Sequence, residues 1–205
     1  MLLSGGIDSA ACLYLSREKG FTNKTLTIRF HAMAKGEELA ARRIAKSAGV
    51  EEHRVVSIPQ LMELSDMPKV ERLAGMPRTY IPMKNATYYS LAAGFAEETG
   101  ASRLVGGHNK DDLAQFEDTS DEFFENLQRS LRAGSSRLRD QKLIIWRPLK
   151  RLSKVQVIRL AVSLGVPFEL TWSCHMEGTE HCGDCDGCAA RARSFREAGV
   201  RDPLM

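Results

Sequence analysis

No stretch of this 205-residue chain stays apolar for the roughly 18–20 residues that a membrane-spanning helix needs, so no transmembrane segment is predicted. Excess charge is also missing: 29 basic residues face 26 acidic ones, a net +3, too mild to argue for direct nucleic-acid binding. No leader peptide is read ahead of the first motif, which begins at residue 4, and a cytoplasmic location is expected. Cysteine is scarce. Five residues, in a chain expected in the cytoplasm, point to metal or chemistry rather than to disulfides. Internal repeats and low-complexity tracts are absent. What remains, 43% apolar and 27% charged residues, is the composition of an ordinary globular protein long enough to bury a sizeable core.

The most informative stretch is Ser4-Gly5-Gly6-Ile7-Asp8-Ser9, between an apolar stub, Met1-Leu2-Leu3, and a helical pattern over 10–19 that stops at Gly20. Strand, glycine turn and helix together aim free backbone N–H groups at an anion, and the helix dipole favours negative charge there. Two glycines let the chain approach a phosphate closely. Ser4 and Ser9 add hydroxyl donors, and Asp8 suits a Mg²⁺ ion offsetting polyphosphate charge. The Gly-Lys-Ser/Thr ending of a Walker loop is missing. The plainer alternative is a strand-to-helix turn in which Asp8 or Ser9 is an N-cap.

Downstream, period-two alternation predicts a strand over 25–30, and short β-rich runs predict others at 53–58, 103–105 and 142–146. Helices are expected over 37–48, 85–99, 122–132 and from Ser153, as N-cap, to 164. Residues 61–78 read as a mobile connection, and 134–136 as a loop. Alternating strands and helices imply an α/β fold with a mostly parallel, doubly wound sheet. Ligands then bind beyond the carboxyl ends of the strands, where the glycine loop, Arg29-Phe30 and Gly106-Gly107 meet.

Four of the cysteines, Cys174, Cys182, Cys185 and Cys188, fall within fifteen residues. They supply four thiolates for a tetrahedral Zn²⁺ with no open position, hence a structural site; an iron–sulfur cluster is the chemical rival. Gly183 and Gly187 are expected to permit the tight turns, and His175 and His181 to lie beside the ligands without joining them. Cys12, alone in the first helix, reads as a small core residue, with a nucleophile as the alternative.

The loop resembles the pyrophosphate loop of the N-type ATP pyrophosphatases, and the rest of the chain resembles the 7-cyano-7-deazaguanine synthase family over nearly its full length. Carrying that resemblance are Tyr80-Ile81-Pro82-Met83-Lys84-Asn85, Gly107-His108-Asn109 with Asp112, Phe116-Glu117-Asp118 and Glu122-Phe123, and Pro148-Leu149 with Lys154. So do Thr171-Trp172-Ser173-Cys174, the cysteine run, and Arg191, Phe195, Gly199 and Asp202-Pro203. The resemblance implies an adenine nucleotide alpha hydrolase-like core over 1–165 and a small zinc-binding appendage with a terminal helix over 166–205. It implies a ligase that uses ATP, forming AMP and pyrophosphate, to convert 7-carboxy-7-deazaguanine and ammonia to the nitrile on the route to queuosine and archaeosine.

By the same resemblance Ser4, Gly5, Gly6, Asp8 and Ser9 hold the pyrophosphate and its metal, while Ile28 presents backbone to adenine and Gly107 lines the nucleotide cleft. Lys84 and Lys154 offset phosphate and carboxylate charge, and with Asp8 and Asp112 they form the catalytic set. Asn85, Asn109 and Asp118 face the purine, Asp112 and Asp118 meeting its amidine edge or a metal. A homodimer is implied. The sequence departs from the family where Glu117, Thr119 and Ser120 replace proline, cysteine and arginine, where Lys84 replaces arginine, and where 32–36 replace a G-Q-R-H segment. Gly107-His108-Asn109-Lys110-Asp111-Asp112 is also similar to the G-H-N-x-D-D of tRNA-thiolating and tRNA-lysidine enzymes. Two alternatives therefore stand: a paralogue adenylating another deazapurine, a tRNA base or a protein terminus, and a nucleotide-binding zinc module without turnover.

Overall fold

The computed structural model describes residues 1–30, 35–59, 81–113, 116–176 and 178–204. The expected connection at 61–78, Tyr80 and residues 32–34 lie outside the described residues. In chain order the elements are α1 (Ile7–Glu18), β1 (Lys24–Arg29), α2 (Lys35–Ser47), β2 (Glu52–Ser57), α3 (Lys84–Thr99), β3 (Arg103–Val105) and α4 (Lys110–Leu113). There follow α5 (Asp121–Gly134), α6 (Ser136–Asp140), β4 (Ile144–Trp146), α7 (Lys154–Ser163) and α8 (Asp186–Ala198), with 3₁₀ turns at Glu117–Thr119 and Phe168–Leu170.

β1 pairs in parallel with β2, and β3 with β4. The N-terminal stub joins the two pairs. Leu3 N donates to Leu26 O at 2.9 Å, Leu26 N to Met1 O at 2.8 Å, and Leu2 N to Val105 O at 3.0 Å. The order across the sheet is thus β2, β1, stub, β3, β4, and it reverses at the stub. That reversal opens the crevice where such sheets bind ligands, and the glycine loop leaves the stub there.

Each face of the sheet is covered. Leu3, Val105, α1, α2, α7 and α8 share one apolar cluster, while Leu2, Leu26, Ile28, Leu104, α3, α5 and α6 share another. The strand predicted from period-two alternation forms as β1, but its threonines do not face water. Thr25 and Thr27 are buried, with Thr27 Oγ1 donating to Leu3 O at 2.6 Å and Thr25 Oγ1 bonding His53 Nδ1 at 2.9 Å. A strand buried on both faces keeps polar residues only where such partners exist.

Ser153 caps α7 through a full capping box with Gln156, as its sequence position predicts. The loop expected at 134–136 is instead a helix junction: Gly134 ends α5, and the Ser135 hydroxyl accepts from Leu138 N to start α6. At the other end, buried Arg191 of α8 makes a bidentate pair with Asp202, Nε to Oδ2 at 2.6 Å and Nη2 to Oδ1 at 2.8 Å. It also donates to Thr171 Oγ1 and Phe168 O, at 2.8 and 3.1 Å. Arg191 and Asp202, among the residues that carry the family resemblance, thus clamp the C-terminal segment to the core. No helix among the described residues is long and apolar enough to cross a membrane.

Candidate functional site

The glycine loop turns sharply at Gly5, whose φ of +84° is strained for any residue with a Cβ. A Cβ there would also lie 2.5 Å from Glu37 O and 2.8 Å from Ala41 N, so the loop is pressed against α2. Gly6, not Asp8 or Ser9, is the N-cap of α1, and no side chain caps that terminus. The serines brace the loop from within. Ser9 Oγ donates to Gly6 O at 3.0 Å and accepts from Ser4 N at 3.3 Å, and Ser4 Oγ accepts from Gly6 N at 3.4 Å. The first turn of α1 therefore presents its N–H groups to an anion.

Asp8 sits in that first turn and is paired with Lys154 Nζ from the start of α7. Its other oxygen accepts from Asn109 Nδ2 at 3.5 Å. The carbonyl end of Asn109 caps α4, accepting from Asp111 N at 2.8 Å, so both ends of this buried amide are held by protein groups. Asp112 Oδ2 accepts from Asn109 N at 2.9 Å; burial pushes its carboxyl up, and that hydrogen bond opposes the shift. Gly107 packs on the backbone of Asp8 and Ser9, where a Cβ would fall 2.9 Å from Asp8 C. On β1, Leu26 directs its N–H and C=O to the stub. Two residues on, Ile28 turns the same edge toward space the stub has vacated on entering the glycine loop. Sequence-predicted residues from α1, β1, α4, α7 and the loop over 106–109 thus meet at the sheet's reversal.

Next to them lies a cleft of about 180 Å³ lined by Ile81, Lys84, Asn85, His108, Asp112, Phe116, Asp118 and Thr119. Asn85 and Asp118 hold each other: Asn85 N donates to Asp118 Oδ2 at 3.3 Å and Asn85 Nδ2 to Asp118 O at 3.0 Å. Met83, at the N-cap of α3, takes a left-handed φ of 57°, backbone strain beside the cleft.

Three residues here escaped the sequence reading as site residues. His108 is wedged against Tyr89 and Phe124, its ring centroid 5.1 Å from that of Phe124, and burial together with Arg147 and Lys84 lowers its pKa to about 4. Burial raises the Glu37 carboxyl to about 7, with Lys84 opposing. Arg147, 4.2 Å over the Phe124 ring, donates to Thr119 O at 2.9 Å and pairs with Asp121. Of these, only His108 carried a signal, its place inside Gly107-His108-Asn109.

The ligand sulfurs of Cys174, Cys182, Cys185 and Cys188 all lie within 4.8 Å of one another. Backbone N–H groups point at them: His175 N to Cys185 Sγ at 3.3 Å, Met176 N to Cys174 Sγ at 3.4 Å, Cys185 N to Cys182 Sγ at 3.4 Å. Three of the four sulfurs thus receive backbone N–H groups, and four sulfurs gathered this closely fit a tetrahedral zinc ion. Gly183 adopts the expected positive φ, +83°, but Gly187 does not; it is small because the Ser173 carbonyl lies where a Cβ would be. His181 stands beside the cluster, accepting from Ser173 N at 3.1 Å and resting on the Trp172 ring. Cys12 is fully buried near the Gly106 carbonyl, and burial, then Asp8, raises its pKa, so it is a core thiol and not an activated nucleophile.

This sheet, with a glycine loop at its reversal and a four-cysteine tail, defines an α/β protein of the PP-loop, adenine nucleotide alpha hydrolase-like class. Solved structures of that shape include NMN synthetase from Francisella tularensis (TM-score 0.52, 19% identity, 98% of this chain and 76% of that one). U34-tRNA thiolase NcsA from Methanococcus maripaludis is another (TM-score 0.51, 17% identity, 96% and 65%). The chain belongs to the queuosine biosynthesis protein QueC family, whose model matches residues 1–199. It is 36% identical over 214 residues to 7-cyano-7-deazaguanine synthase of Legionella pneumophila (strain Paris), covering 99% of this chain and 94% of that protein. It is 37% identical over 215 residues to the enzyme of the same name from Stenotrophomonas maltophilia (strain K279a), covering 100% and 97%.

Proposed function

We propose that this enzyme uses two molecules of ATP to turn 7-carboxy-7-deazaguanine and ammonia into 7-cyano-7-deazaguanine, releasing AMP and pyrophosphate each time. A carboxylate lacks a leaving group, so its oxygen attacks the α-phosphate and pyrophosphate departs. Ammonia then displaces AMP and gives the amide. A second adenylation, on the amide oxygen, lets AMP leave with that oxygen as two protons are lost, and the nitrile forms. The protein's part is positioning and charge stabilisation.

The observation that carries this reading is the meeting, at the sheet's reversal, of the uncapped α1 terminus, the Asp8–Lys154 pair and the Lys84 cleft. Ser4, Gly5, Gly6 and Ser9 would cradle pyrophosphate, Ile28 and Gly107 would border the nucleotide, and Lys154 would counter phosphate charge. Asp8, a carboxylate at a helix N-terminus, has the donor chemistry to hold Mg²⁺, which when bound supplies charge neutralisation on the polyphosphate. Lys84 would face the acceptor carboxylate and Asp112 and Asp118 the purine, with Asn85 and Asn109 setting their positions. The four cysteines would hold a structural zinc, in a division of labour between 1–165 and 166–205, within a cytoplasmic homodimer.

One observation favours a second reading, a paralogue that adenylates a different acceptor: Lys84 in the cleft, and Ser120 in the turn that borders it, stand where the resembled pattern carries arginines. A thiolase-like role is disfavoured by the burial of Cys12, the one cysteine outside the cluster. ATP-to-AMP turnover with 7-carboxy-7-deazaguanine and ammonium, followed by mass spectrometry of the purine, decides between them. Nitrile formation supports the first reading. ATP binding without that product refutes it and moves the search to other acceptors.

A further inference from the structure

The cysteine cluster and the glycine loop belong to different parts of the chain, yet a single residue joins them. Trp172 Nε1 donates to Cys174 O at 2.8 Å, tying the indole to the first cysteine. The backbone N–H of the same residue donates to Gly5 O at 2.9 Å, the carbonyl of the strained turn. Gly6 lies under the Trp172 carbonyl, 3.8 Å from where its Cβ would be. On one side the indole lies where a Cβ on Gly36 of α2 would sit, so no larger residue fits there. On the other it rests on His181, with ring centroids 4.3 Å apart, and His181 adjoins Cys182. Ala40, Trp172, Cys174 and Cys188 form an apolar cluster of their own, separate from the two main cores. The wall of α2 that carries Gly36 and Ala40 is the wall against which Gly5 is pressed, at Glu37 O and Ala41 N.

We propose that Trp172 is a positioning residue, the strut through which the four-cysteine centre fixes the phosphate-binding turn, so that metal occupancy there controls affinity for the nucleotide. A tetrathiolate centre orders Cys174 and, through two hydrogen bonds and the Gly36 contact, the backbone of Gly5. Without the metal nothing ties the four sulfurs to one centre, the 172–188 segment loosens, and a turn held at positive φ loses one of its two supports. A centre with no open coordination position thereby acts on a site it never touches.

The test uses the full-length protein, as purified with zinc and after chelation, and reads amide hydrogen exchange by peptide. Chelation is expected to speed exchange over residues 4–9 and 35–41 by at least about tenfold while leaving β3 and β4 unchanged. In a Trp146→Phe background, Trp172 fluorescence should shift in step with the exchange change as zinc is removed. Trp172→Phe, which keeps the ring but loses the Nε1 donor, should retain zinc and weaken Mg·ATP binding about fivefold, one hydrogen bond's worth, with acceptor affinity unmoved. Gly36→Ala, which changes neither a cysteine nor the loop, should reproduce that loss by displacing the indole.

Acceleration confined to 172–188 overturns the proposal, as does Mg·ATP affinity unchanged in a zinc-loaded Gly36→Ala variant. Should Trp172→Phe fail to hold zinc, the chelation and Gly36→Ala results decide alone. The affinity arm rests on the functional reading above and the exchange arm does not. Absence of ATP binding in the untreated protein would sink that reading and leave the strut to be judged by exchange.

Discussion

Asp202→Asn is the sharpest available test of what the C-terminal residues do. Arg191 and Asp202 have side chains exposed by 0% and 4%, so the charge pair is out of water on both sides. Two charge-assisted hydrogen bonds link them, at 2.6 and 2.8 Å. An asparagine keeps one acceptor but turns an NH₂ toward a guanidinium donor, and the remaining partners, Thr171 Oγ1 and Phe168 O, are neutral. Removing one partner leaves a buried, uncompensated cation, which costs about 3–5 kcal/mol. For a chain of this size each kcal/mol lowers the melting temperature by about 2–4 °C, so a fall of roughly 6–20 °C is expected. Urea unfolding of the zinc-loaded protein should show the midpoint drop with the slope unchanged. Replacing both partners together, Arg191→Met with Asp202→Leu, should cost less than either single change, because no charge is then stranded. A loss below about 1 kcal/mol in Asp202→Asn would refute the clamp, since no buried pair broken on one side is that cheap.

Lys154→Met should cut AMP formation at least about a hundredfold, the usual loss when a charge facing the transition state is removed, while zinc content stays intact; a rate within tenfold of wild type would exclude Lys154 from the chemistry. Gly5→Ala should destabilise the fold by about 2–5 kcal/mol, from positive φ plus overlap with Glu37 O and Ala41 N, and should abolish Mg·ATP binding by calorimetry. Glu37 gives a pH prediction. Its folded pKa, about 7, lies above the ordinary 4.5, so its protonated form contributes stability fully present below about 4.5 and lost as pH rises through about 7. Glu37→Gln should remove that falling limb; parallel wild-type and variant stability curves between pH 4 and 8 would show that Glu37 is not desolvated.

The strands, the helix stops and the loop were legible because each is a local statement. Gly5-Gly6 between an apolar stub and a helix, Gln156 three residues after Ser153, and cysteines three residues apart all encode their geometry within a turn of chain. What escaped depends on contacts between distant segments. Thr25 and Thr27 alternate with Leu26 and Ile28 in a pattern that marks the strand, but its burial on both faces comes from the helices packed there. Gly187 reads from sequence as a glycine that permits a tight turn, whereas the Ser173 backbone passing over it is the reason for its size. Glu37 carries no motif of its own; its raised pKa comes from burial, which no local pattern reports. Arg191 and Asp202 were visible as family-like residues, but a motif match does not separate a clamp from a catalyst. Burial and hydrogen bonding do.

The same distinction bears on the altered acceptor side. Ser120, standing where the resembled pattern has arginine, caps α5 by accepting from Phe123 N at 3.1 Å. A guanidinium does reach that turn, but from the residue that follows β4: Arg147 holds Thr119 O and Asp121 and is buried, so it braces the 117–121 turn rather than facing the cleft. Among the described residues lining the cleft, Lys84 is then the one cation, since His108, with its pKa lowered to about 4, is neutral. A single ammonium is a point charge, whereas an arginine grips a carboxylate through two parallel hydrogen bonds. Lys84→Arg should therefore favour the carboxylate acceptor over its amide by about three- to tenfold in kcat/KM, roughly the worth of one added charge-assisted hydrogen bond. Equal effects on both acceptors would mean that Lys84 faces the phosphates instead, and that the carboxylate is held by some other group.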